Sequence, residues 1–229
     1  LRYIAIATIA AALTAGPASA AEKLLFFDDF NRAELGPKWE TSDARRGVGV
    51  QSKIVDGVLS VKTDPKGNHG AVIATYLNFR DAAIQYRFML TGPGGFNFSF
   101  NDKEYKPVWA GHIARVRITP NLITIQDDKT GTFDLKVRER RLDPAQKAEV
   151  DKFLKTKAKL IKANLALNQW HTAEVILKGD TLSVAIDGKA VGSFSSEGIG
   201  HATKRHIAFT TGADEVRFDD VRVTSLDSK

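Results

Sequence analysis

The sequence predicts an all-β sandwich or jelly roll carrying one inserted amphipathic helix. Three observations predict it. Apolar residues recur with period two over most of the chain from Ala21 onward, turn residues interrupt them at short intervals, and no helices alternate with the strands. A chain of 229 residues with 43% hydrophobic content can bury one core of that size, and disorder is excluded. The absence of cysteine excludes a disulfide framework, cysteine-ligated zinc and a thiol nucleophile.

The elements follow in order. Residues 1–20 (LRYIAIATIAAALTAGPASA) combine Arg2, a short apolar run and the small-residue site Ala18-Ser19-Ala20, which predicts a secretory signal peptide and a secreted or periplasmic protein. No later run approaches the length of a transmembrane helix. Lys53–Lys62 reads as two strands around Asp56-Gly57. In Ala82–Leu90, Ile84, Tyr86 and Phe88 alternate with Gln85 and Arg87. After the break at Gly92–Gly95, Phe96, Phe98 and Phe100 alternate with Asn97, Ser99 and Asn101. His112–Thr119 sets Arg115 and Arg117 against Val116 and Ile118, Leu122–Gln126 is the next strand, and Asp127–Gly131 reads as a polar turn. Strands are also predicted at 172–178, 181–186, 190–194, 207–211 and 216–224. Residues 21–229 are taken as one domain.

The insertion is predicted as one helix over about 143–163. Asp143 is its N-cap, Pro144 its first residue and Gln146 the capping-box position, with an apolar stripe of Val150, Phe153, Leu154, Leu160 and Ile161. Lys136–Lys162 holds ten basic and four acidic side chains, an excess equal to the +6 of the whole chain. The basic character therefore belongs to one segment. It reads as a solvated helix face or as a patch for an anionic surface. No nucleic-acid-binding pattern accompanies it.

Three segments carry a resemblance. Phe26–Trp39 (FFDDFNRAELGPKW), Gln169–Phe194 (QWHTAEVILKGDTLSVAIDGKAVGSF) and Val216–Val223 (VRFDDVRV) resemble exported sandwich domains of the concanavalin A-like superfamily, and within it the 3-keto-disaccharide hydrolase-like group. The resemblance implies a concanavalin A-like jelly roll in which the first and last strands pair. It also implies hydrolysis of a glycoside or 3-keto-glycoside. A His-Pro-Thr-Lys loop of that group corresponds to His201-Ala202-Thr203-Lys204, where the rigidity of the Pro is missing. The Glu-x-Asp-x-x-Glu strand of family 16 glucanases is absent, which argues against their two-carboxylate catalysis.

The polar alternation predicts a sugar-binding sheet face bearing Gln85, Arg87, Asn97, Ser99, Arg115, Arg117, Thr124 and Gln126, with Trp109, Tyr105 and His112 at the strand ends. The plain alternative is the wet side of an antiparallel sheet. The expected substrate-binding residues are Arg87, Asn97, Trp109, Arg115, Arg117, Gln126, His201 and Lys204. His112 or Asp128, the latter at a loop tip, is the expected proton-transfer group. His171 and His206 read as structural. Asp28 and Asp219, with Asp29 and Asp220, are expected either to hold a structural Ca²⁺ or to pair with Arg217 and Arg222. Three functions fit this reading: a carbohydrate-active enzyme, a non-catalytic carbohydrate-binding or adhesion module, and an envelope protein that meets anionic surfaces through the lysine-rich helix.

Overall fold

The computed structural model describes residues 23–41, 50–64 and 69–227. The predicted signal peptide lies outside them. The described chain is a sandwich of an eight-stranded and a seven-stranded antiparallel sheet. The first sheet holds β1 (Lys23–Asp28), β3 (Val50–Val55), β4 (Val58–Thr63), β6 (Ala82–Leu90), β11 (Trp170–Lys178), β12 (Thr181–Ile186), β13 (Lys189–Ser195) and β15 (Val216–Ser225). The second holds β2 (Glu40–Thr41), β5 (Ala71–Phe79), β7 (Phe96–Asn101), β8 (His112–Ile118), β9 (Leu122–Asp127), β10 (Ala158–Lys162) and β14 (Lys204–Thr211). β1 pairs with β15, as the jelly-roll resemblance implies.

The inward residues of the two sheets form one core. Phe96, Phe98 and Phe100, expected inside from their alternation, are buried with Tyr86, Phe88, Phe209 and Phe218. Phe209 stacks on Phe98 at 4.9 Å and on Phe218 at 4.2 Å between centroids, and Tyr86 meets Phe98 at 5.0 Å. Each ring contributes burial of apolar area, and offset or edge contacts add about 0.5–1.5 kcal/mol per pair.

Two expectations are corrected. β6 and β7 lie in different sheets, because the chain at Gly92–Gly95 crosses the sandwich instead of folding back beside β6. Gln85 and Arg87 therefore do not share a face with Asn97 and Arg115. The insertion is also not one helix. It consists of α1 (Leu135–Leu142), α2 (Lys147–Lys155) and the edge strand β10. Asp134 caps α1 by accepting from Val137 N–H at 2.9 Å. Asp143 accepts from Ala145 N–H in the link, and α2 begins only at Lys147. Leu160 and Ile161, assigned to the helical stripe, belong to β10, whose Ala158–Lys162 pairs with Gln126–Leu122 of β9. The open edge of β9 offers a ladder of hydrogen bonds that outweighs a marginal helical pattern. Part of the basic surface is neutralised locally: Arg140 pairs with Glu149 at 3.0 Å, Arg141 with Asp151 at 2.8 Å, and Lys147 also meets Asp151. No helix among the described residues is long and apolar enough to cross a membrane.

Candidate functional site

The outer face of the seven-stranded sheet carries a cleft of about 310 Å³. Strand register explains its shape. One row of paired residues runs across the sheet as Gln126, Arg115, Ser99, Ala208, Ala74 and Glu40. The three central members are small, so the floor is low, while Arg115 and Glu40 stand on either side. A second row supplies Asn97, Thr210 and Val72, and a third His112, Asn101 and His206. Lys103, Ala110 and Phe133 complete the walls.

His112 is aimed by the turn before it. Ala110 and Gly111 both have positive φ, 52° and 76°, and a Cβ on Gly111 would collide with the carbonyl oxygen of Asp102. The imidazole stacks on Phe133 at 4.2 Å, and its buried Nδ1 has no partner. Burial first, then the Arg115 charge, pushes its pKa down to about 4. His206 faces the same cleft, again with a partnerless buried Nδ1, and burial followed by the Lys103 charge holds it at about 4. Both imidazoles are therefore neutral near pH 7. On the opposite wall Tyr76 O–H donates to Glu40 at 2.5 Å and accepts from Lys103 Nζ at 2.6 Å.

Asp128 is not at a loop tip. A π-helical turn, Asp128–Thr132, carries it beneath Arg115, where it is fully buried. Arg115 Nη2 stands 3.4 Å from Asp128 Oδ1, and neither carboxylate oxygen has a hydrogen bond. Burial pushes this carboxyl up to about 7 against the opposing pull of Arg115. Gln126 accepts from Arg115 at 3.2 Å and donates to Thr132 at 2.7 Å, so it steadies the guanidinium from the side.

The other expected residues scatter. Asn97 lines the cleft, and half-exposed Trp109 precedes the lining residue Ala110 and lies under the Arg138 guanidinium at 5.1 Å. Arg117 is exposed and donates to Gly94 O at 3.0 Å. Arg87 is on the outer face of the other sheet, stacked on Trp170 at 4.7 Å and paired with Asp219 at 3.2 Å. Lys204 is buried, with Nζ donating to Arg80 O at 2.8 Å, and burial pulls its pKa down to about 8. His201 lies under Tyr105, its Nε2 3.0 Å from Asp102. Burial opposes ionisation of Asp102, yet His201, the Glu104 N–H and Arg205 together keep its pKa below the usual carboxylate range. His171 is structural as expected, held between Asp187 and Ala166 O.

Of the carboxylates offered to a Ca²⁺ or to Arg217 and Arg222, Asp28, Asp219 and Asp220 pair with other arginines and Asp29 accepts from Asn31 N–H. Asp28 accepts from Arg32 at 2.6 and 2.8 Å and from the Trp39 indole at 2.7 Å, while Asp219 pairs with Arg87. Among the described residues no group of three or more His, Asp or Glu is arranged to hold a metal ion. Sequence reasoning missed Glu40, Lys103 and His206. The period of β14 puts His206, Ala208 and Thr210 on one face, which was a usable signal.

The chain superposes on solved jelly rolls at low identity. A non-specific endo-β-1,3(4)-glucanase from family GH16 matches with TM-score 0.62 at 12% identity, covering 91% of this chain and 93% of that one. The carbohydrate binding module CBM66 from Bacillus subtilis matches with TM-score 0.53 at 12% identity, covering 82% and 96%. A sialidase matches with TM-score 0.57 at 15% identity over 83% of this chain, which spans only 17% of that protein's length. These likenesses establish the concanavalin A-like fold and nothing finer. No curated protein matches the chain in sequence. A family model, the 3-keto-alpha-glucoside-1,2-lyase-like domain, matches residues 26–224. With that match running through nearly all of both sheets, the chain belongs to the 3-keto-alpha-glucoside-1,2-lyase-like domain family.

Proposed function

We propose that the cleft on the seven-stranded sheet binds a 3-keto-glycoside and breaks its bond between C1 and the glycosidic oxygen by elimination. The observation that carries this reading is the pairing of a neutral imidazole with a guanidinium on one strand: His112 and Arg115 both line the cleft. A keto group at C3 acidifies the C2 hydrogen. His112 accepts that proton, the C2–H electron pair becomes the C1=C2 bond, and the C1–O pair leaves with the glycosidic oxygen. The imidazolium then returns the proton to that oxygen. Negative charge develops on O3 meanwhile, and Arg115 is the donor placed to stabilise it. The small floor of Ser99, Ala208 and Ala74 leaves room for a pyranose ring, and Asn97 and Asn101 supply hydroxyl contacts.

The test is incubation with 3-keto-glycosides, following aglycone release and the absorbance of the unsaturated product. Turnover lost in His112→Gln and Arg115→Ala supports the reading. No turnover by the wild type across α- and β-linked substrates overturns it, and sugar binding without turnover would leave a carbohydrate-binding module.

We also propose that residues 1–20 direct export and are removed. N-terminal sequencing of protein from the periplasm or medium should begin at Ala21; an intact leader on soluble cytoplasmic protein would count against it.

A further inference from the structure

One end of the cleft gathers two guanidiniums and a neutral imidazole around one aromatic ring. Three groups surround the Phe133 ring: the His112 imidazole at 4.2 Å, the Arg115 guanidinium at 5.1 Å and the Arg138 guanidinium at 5.8 Å. Arg115 has Asp128 behind it. Arg138 differs from its neighbours in α1. Arg140 and Arg141 are each tied to a carboxylate of α2, whereas Arg138 has no carboxylate at ion-pair distance among the described residues. Its guanidinium lies instead over Trp109, which is 53% exposed beside the cleft-lining Ala110.

We propose that Trp109, Phe133 and Arg138 form a second sugar subsite at the mouth of the cleft, and that it takes a carboxylate-bearing sugar, a uronate. The inference rests on the cleft being the sugar site. An exposed indole offers an apolar platform for the C–H face of a pyranose. A guanidinium stacked on that ring keeps its N–H edge free, and the planar fork matches a planar carboxylate. The position follows from the ring contacts: Phe133 lines the cleft, and the Arg138 guanidinium lies 5.8 Å from its centroid and 5.1 Å from that of Trp109, so a carboxylate held by Arg138 is next to a sugar on the floor. The subsite also gives the basic insertion a use that its internal ion pairs leave over. α1 brings one uncommitted guanidinium to the substrate path while Arg140 and Arg141 are paired with carboxylates of α2.

The competing role for Arg138 is a tether that only holds α1 against Trp109. A tether affects stability but does not discriminate between ligands. The experiment is calorimetric titration of the full chain with a disaccharide ending in glucuronate and with its neutral glucose counterpart. The wild type is expected to prefer the acid form by at least about tenfold at low salt, with the preference shrinking as salt rises. Arg138→Ala should abolish the preference, lowering affinity for the acid form at least about tenfold more than affinity for the neutral one, and Arg138→Lys should restore only part of it. Trp109→Ala should weaken both. Equal binding of the two sugars by the wild type, binding of neither, or a preference that survives in Arg138→Ala overturns the proposal. Keto-glycoside cleavage is measured in parallel. Cleavage without acid preference sinks the subsite alone, whereas acid preference without cleavage sinks the elimination and leaves the subsite.

Discussion

Arg115 and Asp128 face each other at 3.4 Å without a hydrogen bond, the guanidinium lining the cleft and the carboxyl fully buried beneath it. The pair stands within ion-pair distance but makes no hydrogen bond. Burial wins at Asp128, so its carboxyl exchanges its proton near neutral pH.

That balance sets a pH dependence. The folded pKa of Asp128, about 7, lies above its unfolded value of 3.8. Its favourable contribution is fully present below pH 3.8 and is lost as pH rises through 7. Asp128→Asn should flatten the decline in stability between those limits, leaving the variant more stable than wild type at pH 8 by roughly 1–3 kcal/mol. Denaturant unfolding across that range checks it; parallel curves for the two proteins would refute it.

The histidines act in the opposite sense. His112 and His206 are held at about 4, below the ordinary 6.5, so their contribution is present above pH 6.5 and is lost as pH falls through 4. The double variant His112→Gln, His206→Gln should lose less stability than wild type between pH 6.5 and 4, whatever its stability at pH 8. Thermal melts along the acid limb give the comparison, and an unchanged slope would argue against two buried neutral imidazoles.

The cleft floor predicts a steric effect separable from folding. Ala208 sits between Ser99 and Ala74 in the row that bears Arg115. Ala208→Leu should fill the cleft and abolish ligand binding. Ala208 is itself only 3% exposed, so crowding is expected to cost about 1–3 kcal/mol of stability, and denaturant unfolding separates that cost from the loss of binding. Retained binding would place the ligand elsewhere.

Asp127, beside Asp128, is a structural knot. It accepts from Thr130 N–H and O–H, from Ser196 O–H and from Gly198 N–H at 3.0, 2.6, 2.5 and 3.1 Å. A Cβ at position 198 would run into its carboxylate. Gly198→Ala should therefore destabilise by roughly 2–4 kcal/mol, through loss of buried hydrogen bonds, and should loosen the turn that carries Asp128. A melting temperature equal to wild type would remove the knot from the account.

Much of this was legible beforehand. Alternation in β7 assigned Phe96, Phe98 and Phe100 to the core and Asn97 and Ser99 to the outer face, and the same rule placed Arg115 facing outward. The misplacement of Arg87 has a specific cause. Gly92–Gly95 marks a turn, but a turn's composition does not say whether the chain returns along its own sheet or crosses to the other. Similarly, residues 158–162 show an apolar pair compatible with either period, and the free edge of β9 decided for strand. Lys204 and His201 came from a matched loop, and their burial depends on neighbours distant in sequence, Arg80 and Asp102.

The sequence by itself determined the all-β class, the strand faces, the aromatic core, the family and the confinement of charge to one segment, because period, turn chemistry and composition are local properties. Tertiary structure alone decided which strands share a sheet, which cations find carboxylates, and that His112, Arg115, His206 and Glu40 surround one low floor. Those outcomes depend on cross-strand register and desolvation, which are set by partners far apart along the chain.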